Sequence, residues 1–200
     1  MEINLIGFLP VLLPVALSPG ASFTLVMSSA LSGGRNGLVR TLAGTALGIY
    51  THALLIGLGI TALIVSSPAV YDVIKLAGTL YLLWLGFMLI RSGLSAKLNH
   101  RNNGMTTVTL RDAWLANILN PKAIIFYLTV VSQFSGKHGG VENYLALASV
   151  HVAVMSLWLI AISHTLVFSA KKVNPAQLKK YVNTAGGTLL IIFSLHNLAH

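Results

Sequence analysis

Residues 18–23 read SPGASF and residues 120–125 read NPKAII, and each stretch interrupts a run that is otherwise apolar enough to cross a membrane. Proline removes a backbone donor, and its ring clashes with the preceding turn of a helix. Each stretch therefore predicts a helix break well inside an apolar region. The rest of the predicted fold is arranged around these two breaks.

The composition defines the environment of the chain. Hydrophobic residues make up 55% of the 200 residues and charged residues only 8%, and the mean hydropathy is +0.79. A soluble domain has about 25% charged residues. We therefore expect an all-α integral membrane protein, because helices satisfy their own backbone groups in lipid. The absence of cysteine excludes disulfides, thiolate metal ligands and cysteine nucleophiles.

Six segments have roughly the 20 apolar residues that a transmembrane helix needs. They span residues 3–29, 38–65, 70–91, 112–134, 143–169 and 182–199. Because the connections are short, we expect one polytopic domain over residues 1–200, built from a first repeat (about 1–92), a basic cytoplasmic loop (about 93–111) and a second repeat (about 112–200). The N-terminal segment opens without a basic n-region and is expected to be retained as a span.

The basic residues predict the orientation. The first, third and fifth connections hold ten of the thirteen Lys and Arg residues. The positive-inside rule places such connections in the cytoplasm, so both termini are expected outside. Topology therefore accounts for most of the net charge of +9. Nucleic acid is not an expected partner, because no soluble domain presents a basic surface.

An internal repeat relates the two breaks. A shift of 102 residues aligns Pro19 with Pro121, Gly34 with Gly136, Arg35 with Lys137 and Gly37 with Gly139. Since each half contains three spans, the second half enters the membrane from the opposite side. This is the inverted-repeat arrangement of many secondary transporters.

Each break combines an N-cap residue with a following proline, as Ser18-Pro19 and as Asn120-Pro121. We expect each pair to start a new half-helix whose N–H groups bind a carboxylate near the midplane. The carbonyls of the preceding segment suit an ammonium, so the geometry suits a zwitterion. The alternative is that both prolines are packing kinks relieved by neighbouring groups.

Two ionisable side chains lie deep in the predicted spans. Lys122 has no mid-span carboxylate to pair with, and we expect it to hold the substrate carboxylate or to fix the broken backbone. Its alternative is to snorkel to the cytoplasmic face. His52 shares a helical stripe with Gly44 and Gly48 and is either a proton carrier or a buried hydrogen-bonding residue. The glycines of the stripe predict close helix packing.

The sequence has no G-x-S-x-G setting, P-loop, acidic dyad or H-x-x-x-H metal pair. An enzyme is therefore not expected, and neither is a metal or a cofactor.

Five motifs occur in an order that resembles the LysE/RhtB amino-acid exporter family. They are SPG at 18–20, the stripe from Gly44 to His52, IKLAGTLYLLWLG in the third span, NPKA at 120–123 and QF at 133–134. The resemblance covers essentially the whole chain. It implies an exporter of amino acids or their analogues in a bacterial inner membrane, generally driven by the proton-motive force. The transport residues that it implies are Ser18, Pro19, Gly20, Gly44, Gly48, Asn120, Pro121 and Lys122.

The chain departs from the family pattern at Ala21 and Ser132, where proline is common. The expected mechanism is alternating access, with an amino acid, protons and the lipid bilayer as partners and with homo-oligomerisation left open. Two other functions stay open. One is a small-solute channel with broken half-helices, which concentrative export would exclude. The other is a membrane assembly or signalling component, which would carry no flux.

Overall fold

The computed structural model describes residues 3–19, 21–66, 68–95, 108–136, 140–165 and 175–199, and none of these residues forms a strand. The helices are α1 (Leu5–Leu17), α2 (Ala21–Ser66), α3 (Pro68–Leu94), α4 (Leu110–Ile118), α5 (Pro121–Ile125), a π-helical turn (Phe126–Val131), α6 (Ser132–Phe134), α7 (Val141–Ser163) and α8 (Pro175–Ala199). Most of the expected basic loop, residues 96–107, lies outside the described residues.

The described helices have the length and apolar composition of a membrane protein. Helices α2, α3 and α7 each contain a stretch that is long and apolar enough to cross a membrane. The bent pair of Leu110–Ile118 and Pro121–Phe134 makes a fourth when it is counted as one span, and α1 is a shorter apolar helix. The expected all-α membrane class is therefore confirmed.

Both expected helix breaks are present. Helix α1 ends at Leu17 and α2 begins at Ala21, so the break brackets Pro19. Helix α4 ends at Ile118, α5 begins at Pro121, and the two segments differ in direction by 56°. The prolines thus interrupt both helices where the sequence predicts.

Helix α2 is bent back on itself at Gly34, which has φ 58° and ψ −142°. The Ser29 hydroxyl donates to the Gly37 carbonyl at 2.9 Å, whereas eight residues of straight helix rise about 12 Å. The reversal therefore lies within residues 30–37, where the connection between the first two spans is expected, and helical residues continue on both sides of Gly34. Gly34 and Gly136, which the shift of 102 aligns, both have positive φ.

Helices α3 and α8 pack through a reciprocal glycine contact. A Cβ atom on Gly86 would lie 2.8 Å from the Gly187 carbonyl oxygen and 2.8 Å from Cγ1 of Ile191. A Cβ atom on Gly187 would lie 2.5 Å from the Gly86 carbonyl oxygen and 2.8 Å from Cγ1 of Ile90. Each helix thus presents the same pair of groups to the other, one glycine and the isoleucine one turn later.

A phenylalanine cluster joins α1 to the π-helical turn, to α6 and to α8. The Phe8 ring centroid lies 6.3 Å from that of Phe126 and 5.6 Å from that of Phe134. Phe193 of α8 continues the cluster at 6.1 Å from Phe134. The backbone N–H of Asn4 donates to the Phe134 carbonyl at 3.2 Å. The bundle is thus tightly packed at the end where α1 begins.

The glycine contact between α3 and α8 predicts that a methyl group added at Gly86 destabilises the fold. We expect Gly86→Ala to lower the free energy of unfolding by about 1–3 kcal/mol, because the methyl group overpacks the interface. Gly59→Ala in α2 is the matched control, since no described atom outside its own stretch of helix lies within 4 Å of its Cβ position. Thermal unfolding of the purified protein in detergent compares the two, and equal melting temperatures would contradict the close approach.

Candidate functional site

A cavity of about 70 Å³ lies where the two helix breaks meet. Its polar side chains come from both breaks and from α7, and they are Ser18, Ser22, Asn117, Asn120, Lys122 and His151. The apolar part of its wall includes Val15, Phe23, Ile49, Phe126, Met155 and Leu159. Of the expected transport residues, the structure thus brings Ser18, Asn120 and Lys122 together at one cavity.

Lys122 links the two breaks directly. Its Nζ donates to the Val15 carbonyl at 2.9 Å and to the Ser18 hydroxyl at 2.5 Å. Val15 lies in the last turn of α1, where carbonyls lack intrahelical partners and carry the negative end of the helix dipole. The ammonium from one break therefore binds the helix end at the other. The Lys122 side chain therefore lies at the broken backbone, which is one of the positions expected for it from the sequence.

The expectation that Ser18 caps the start of the second half-helix is wrong. Ser18 is the C-cap of α1, and its hydroxyl donates back to the Val15 carbonyl at 3.1 Å. Helix α2 begins only at Ala21, so Pro19 precedes the first helical position rather than occupying it. Gly20 lies outside the described residues.

Asn120 is the expected N-cap of the other half-helix. Its side-chain oxygen accepts from the Lys122 backbone N–H at 3.0 Å, and Pro121 follows in the first turn of α5. The second break therefore has the predicted local structure. Because Asn120 fixes the backbone of Lys122, it also directs that side chain towards α1.

Ring N–H groups bind two further carbonyls at the breaks. Trp158 Nε1 of α7 donates to the Leu17 carbonyl at 3.1 Å, and His52 Nε2 of α2 lies 3.3 Å from the Asn117 carbonyl. A carbonyl only accepts, so Nε2 of His52 carries the proton. The carbonyls of Val15, Leu17 and Asn117 thus already have side-chain donors. The carbonyls of Val15 and Asn117 each accept at least two hydrogen bonds, so the expectation that they are free for a substrate ammonium is wrong at these two residues.

Gly44 and Gly48 lie against α4 and are absent from the cavity wall. A Cβ atom on Gly48 would lie 2.6 Å from Oδ1 of Asn117, and one on Gly44 would overlap the Leu110 carbonyl. The two glycines therefore permit the close helix packing that the stripe predicts. This close approach also brings His52 within reach of the Asn117 carbonyl.

A stack of three rings beside the cavity was not foreseen from the sequence. The Tyr127 ring lies between His52 and His151, with both centroid distances 5.9 Å, and its hydroxyl lies 3.1 Å from Nδ1 of His151. Tyr127 belongs to the π-helical turn, a rare element that often marks functional sites. The sequence carries no signal for the stack, because the turn and the distant helices create it.

These features define an all-helical membrane protein with a polar cavity between two broken helices. The model of the LysE type translocator family matches residues 13–200, and the chain belongs to this family. The resemblance seen in the motifs is thereby confirmed.

Three relatives cover nearly the whole chain. An uncharacterised membrane protein of Bacillus subtilis, YrhP, is 25% identical over 203 residues, covering 96% of this chain and 97% of its own. The homoserine/homoserine lactone efflux protein of Salmonella typhimurium is 26% identical over 180 residues, covering 89% and 87%. The threonine efflux protein of Escherichia coli K12 is 24% identical over 185 residues, covering 90% of each chain. No solved structure matches the chain.

The hydrogen bond from Trp158 to the Leu17 carbonyl predicts that removal of the indole N–H group lowers the stability of the protein. We expect Trp158→Phe to lower the free energy of unfolding by about 1–3 kcal/mol, because the Leu17 carbonyl loses its donor. Trp84→Phe in α3 is the control, since that side chain is 56% exposed. Circular dichroism during thermal unfolding avoids the loss of tryptophan fluorescence. A Trp158 variant as stable as the Trp84 variant would show that the bond contributes nothing.

Proposed function

We propose that the protein exports an amino acid or a close analogue from the cytoplasm by alternating access. The observation that carries this proposal is the Lys122 ammonium, bound to both breaks at the wall of a small cavity. A substrate carboxylate entering the cavity meets this cation. The relatives named as threonine and homoserine efflux proteins support the same substrate class.

The breaks provide the groups that bind the substrate in this proposal. Lys122 binds the carboxylate with an N–H that Val15 and Ser18 leave free, since an ammonium has three donors. Ser18 and Asn120 line the cavity beside it. Pro19 and Pro121 keep the backbone broken, while Gly44 and Gly48 position α4 and act on transport only through packing.

An inverted repeat supplies the moving parts. The six spans of the proposal are α1 with the part of α2 before Gly34, the part of α2 after Gly34, α3, α4 to α6, α7, and α8. Three features support the repeat: the matched breaks, the positive φ of Gly34 and Gly136, and the reciprocal contact of Gly86 with Gly187, which lies one residue from the shift of 102. The distribution of basic residues supports outside termini in a bacterial inner membrane.

In the proposed transport cycle, the phenylalanine cluster closes the external side of the cavity. With both termini outside, Phe8, Phe126 and Phe134 lie between the cavity and the external face, and all three are buried. Rocking one repeat against the other separates Phe8 of α1 from the other two rings. The substrate therefore loads from the cytoplasm while the cluster is packed and leaves when it parts.

Removal of the Lys122 charge tests the proposed function. We expect Lys122→Gln to lower efflux of labelled threonine from proteoliposomes by about tenfold or more, because a charge-assisted hydrogen bond contributes about 1.5–3 kcal/mol. Lys180→Gln in α8 is the control, since that side chain is exposed. A folded Lys122→Gln protein that transports at the wild-type rate would remove the basis of the proposal.

Proton coupling is the second part of the proposal, with His52 as the candidate proton carrier. We expect His52→Gln to retain basal efflux but to lose the stimulation by an imposed proton gradient, because the amide preserves a donor but cannot titrate. His196→Gln, near the C-terminus and exposed, is the control. Gradient-stimulated efflux in the His52 variant would assign coupling to another group.

A further inference from the structure

We infer that the cavity selects amino acids with a short neutral side chain against basic amino acids, and that His151, held by Tyr127, recognises a hydroxyl on that side chain. This inference rests on the proposed export function and assigns its substrate class. It also gives roles to two residues outside the helix breaks.

The charge of the cavity disfavours a basic substrate. Among the described residues that line the cavity, Lys122 is the cation and none carries a carboxylate. The described acidic residues Asp72, Asp112 and Glu142 are all exposed. A neutral amino acid brings no net charge, whereas a basic one brings an additional positive charge close to Lys122. A charge without a partner in a low-dielectric site is strongly disfavoured.

The size of the cavity favours a short side chain. Its volume is about 70 Å³, and one water-sized group occupies about 10–15 Å³ by the same measure. The cavity therefore holds about five such groups. A longer side chain meets Met155 and Leu159 in the wall of the cavity. Both residues are buried.

The hydrogen bond to Tyr127 fixes the tautomer of His151. The Tyr127 hydroxyl is completely buried, and its described partner is Nδ1 of His151 at 3.1 Å. We assign the hydroxyl as the donor and Nδ1 as the acceptor, which is one of the two arrangements open to a neutral imidazole. The proton of the neutral ring then lies on Nε2. His151, a residue of the cavity wall, therefore has one remaining polar group, and that group is a donor.

Neighbouring rings also fix the orientation of His151. Tyr127 stacks on the ring with an interplanar angle of 13°, and Phe126 meets it at 75° with centroids 5.8 Å apart. An imidazole held on two sides cannot turn its donor away at low cost. A substrate hydroxyl can accept from Nε2, whereas a methyl group in the same place leaves that N–H without a partner. Threonine should therefore bind better than valine, which has nearly the same shape.

Binding to the detergent-purified protein tests the inference separately from transport. Equilibrium dialysis with labelled threonine, competed by unlabelled valine, lysine and arginine, gives the relative affinities. We expect threonine to bind at least about tenfold more tightly than lysine or arginine and several-fold more tightly than valine. Lysine binding equal to threonine binding would overturn the charge argument. No binding of any amino acid to folded protein would overturn the proposed function itself.

Two conservative variants test the role of His151. Tyr127→Phe removes the group that holds Nδ1 and should abolish the preference for threonine over valine while leaving the preference over lysine. Tyr50→Phe is the matched control. The Tyr50 hydroxyl bonds the Ser149 hydroxyl, and neither Tyr50 nor Ser149 lines the cavity. A Tyr127→Phe protein that still prefers threonine as wild type does would overturn the role of His151.

A gain of function tests the charge argument in the opposite direction. Ser22 lines the cavity in the first turn of α2, where a carboxylate is favoured by the helix dipole. We expect Ser22→Asp to raise the affinity for lysine by about tenfold or more, because the added carboxylate balances Lys122. Ser22→Asn adds the same bulk without charge and should leave lysine binding weak. Equal lysine binding by the two variants would contradict the inference.

Discussion

The contact between Lys122 and the end of α1 is the interaction on which the arrangement of the site depends. A helix broken inside a membrane leaves carbonyls that lipid cannot bind. Nζ of Lys122 donates to the Val15 carbonyl and to Ser18, whose hydroxyl also bonds Val15. One ammonium thus stabilises a helix end in one half of the chain while its own backbone starts a half-helix in the other. The two breaks must therefore lie side by side, and the cavity is the space left between them.

The surrounding structure satisfies the remaining backbone groups and holds this geometry. Trp158 and His52 bind the carbonyls of Leu17 and Asn117. His52 reaches Asn117 because Gly48 lets α4 approach closely. Lys122 is the cation in the wall of the cavity, and Oδ1 of Asn117 is a buried acceptor that no described group bonds. In the proposed cycle the carboxylate of the substrate binds at Lys122.

The sequence predicted the features that depend on local chemistry. Pro19 and Pro121 predicted both breaks, Asn120 predicted an N-cap, and the shift of 102 paired the glycines that adopt positive φ. The sequence did not predict features that depend on hydrogen bonds or contacts outside the local motif. Ser18 looks like an N-cap by its neighbours alone, yet it bonds the carbonyl behind it. The Tyr127–His151 pair joins side chains 24 residues apart through a π-helical turn, and no local pattern encodes that contact. The roles of Lys122 and His52 in transport remain proposals.

A double-mutant cycle on Ser18 and Lys122 tests the central contact most directly. Ser18→Ala, Lys122→Gln and the double variant are compared with wild type by reversible unfolding in mixed micelles. If the ammonium binds the hydroxyl across the breaks, the two substitutions are coupled by about 0.5–3 kcal/mol, as for residues in one hydrogen-bond network. Effects that add to within about 0.5 kcal/mol are expected only of independent sites. That result would contradict the account, because the ammonium would then not bind the Ser18 hydroxyl across the breaks.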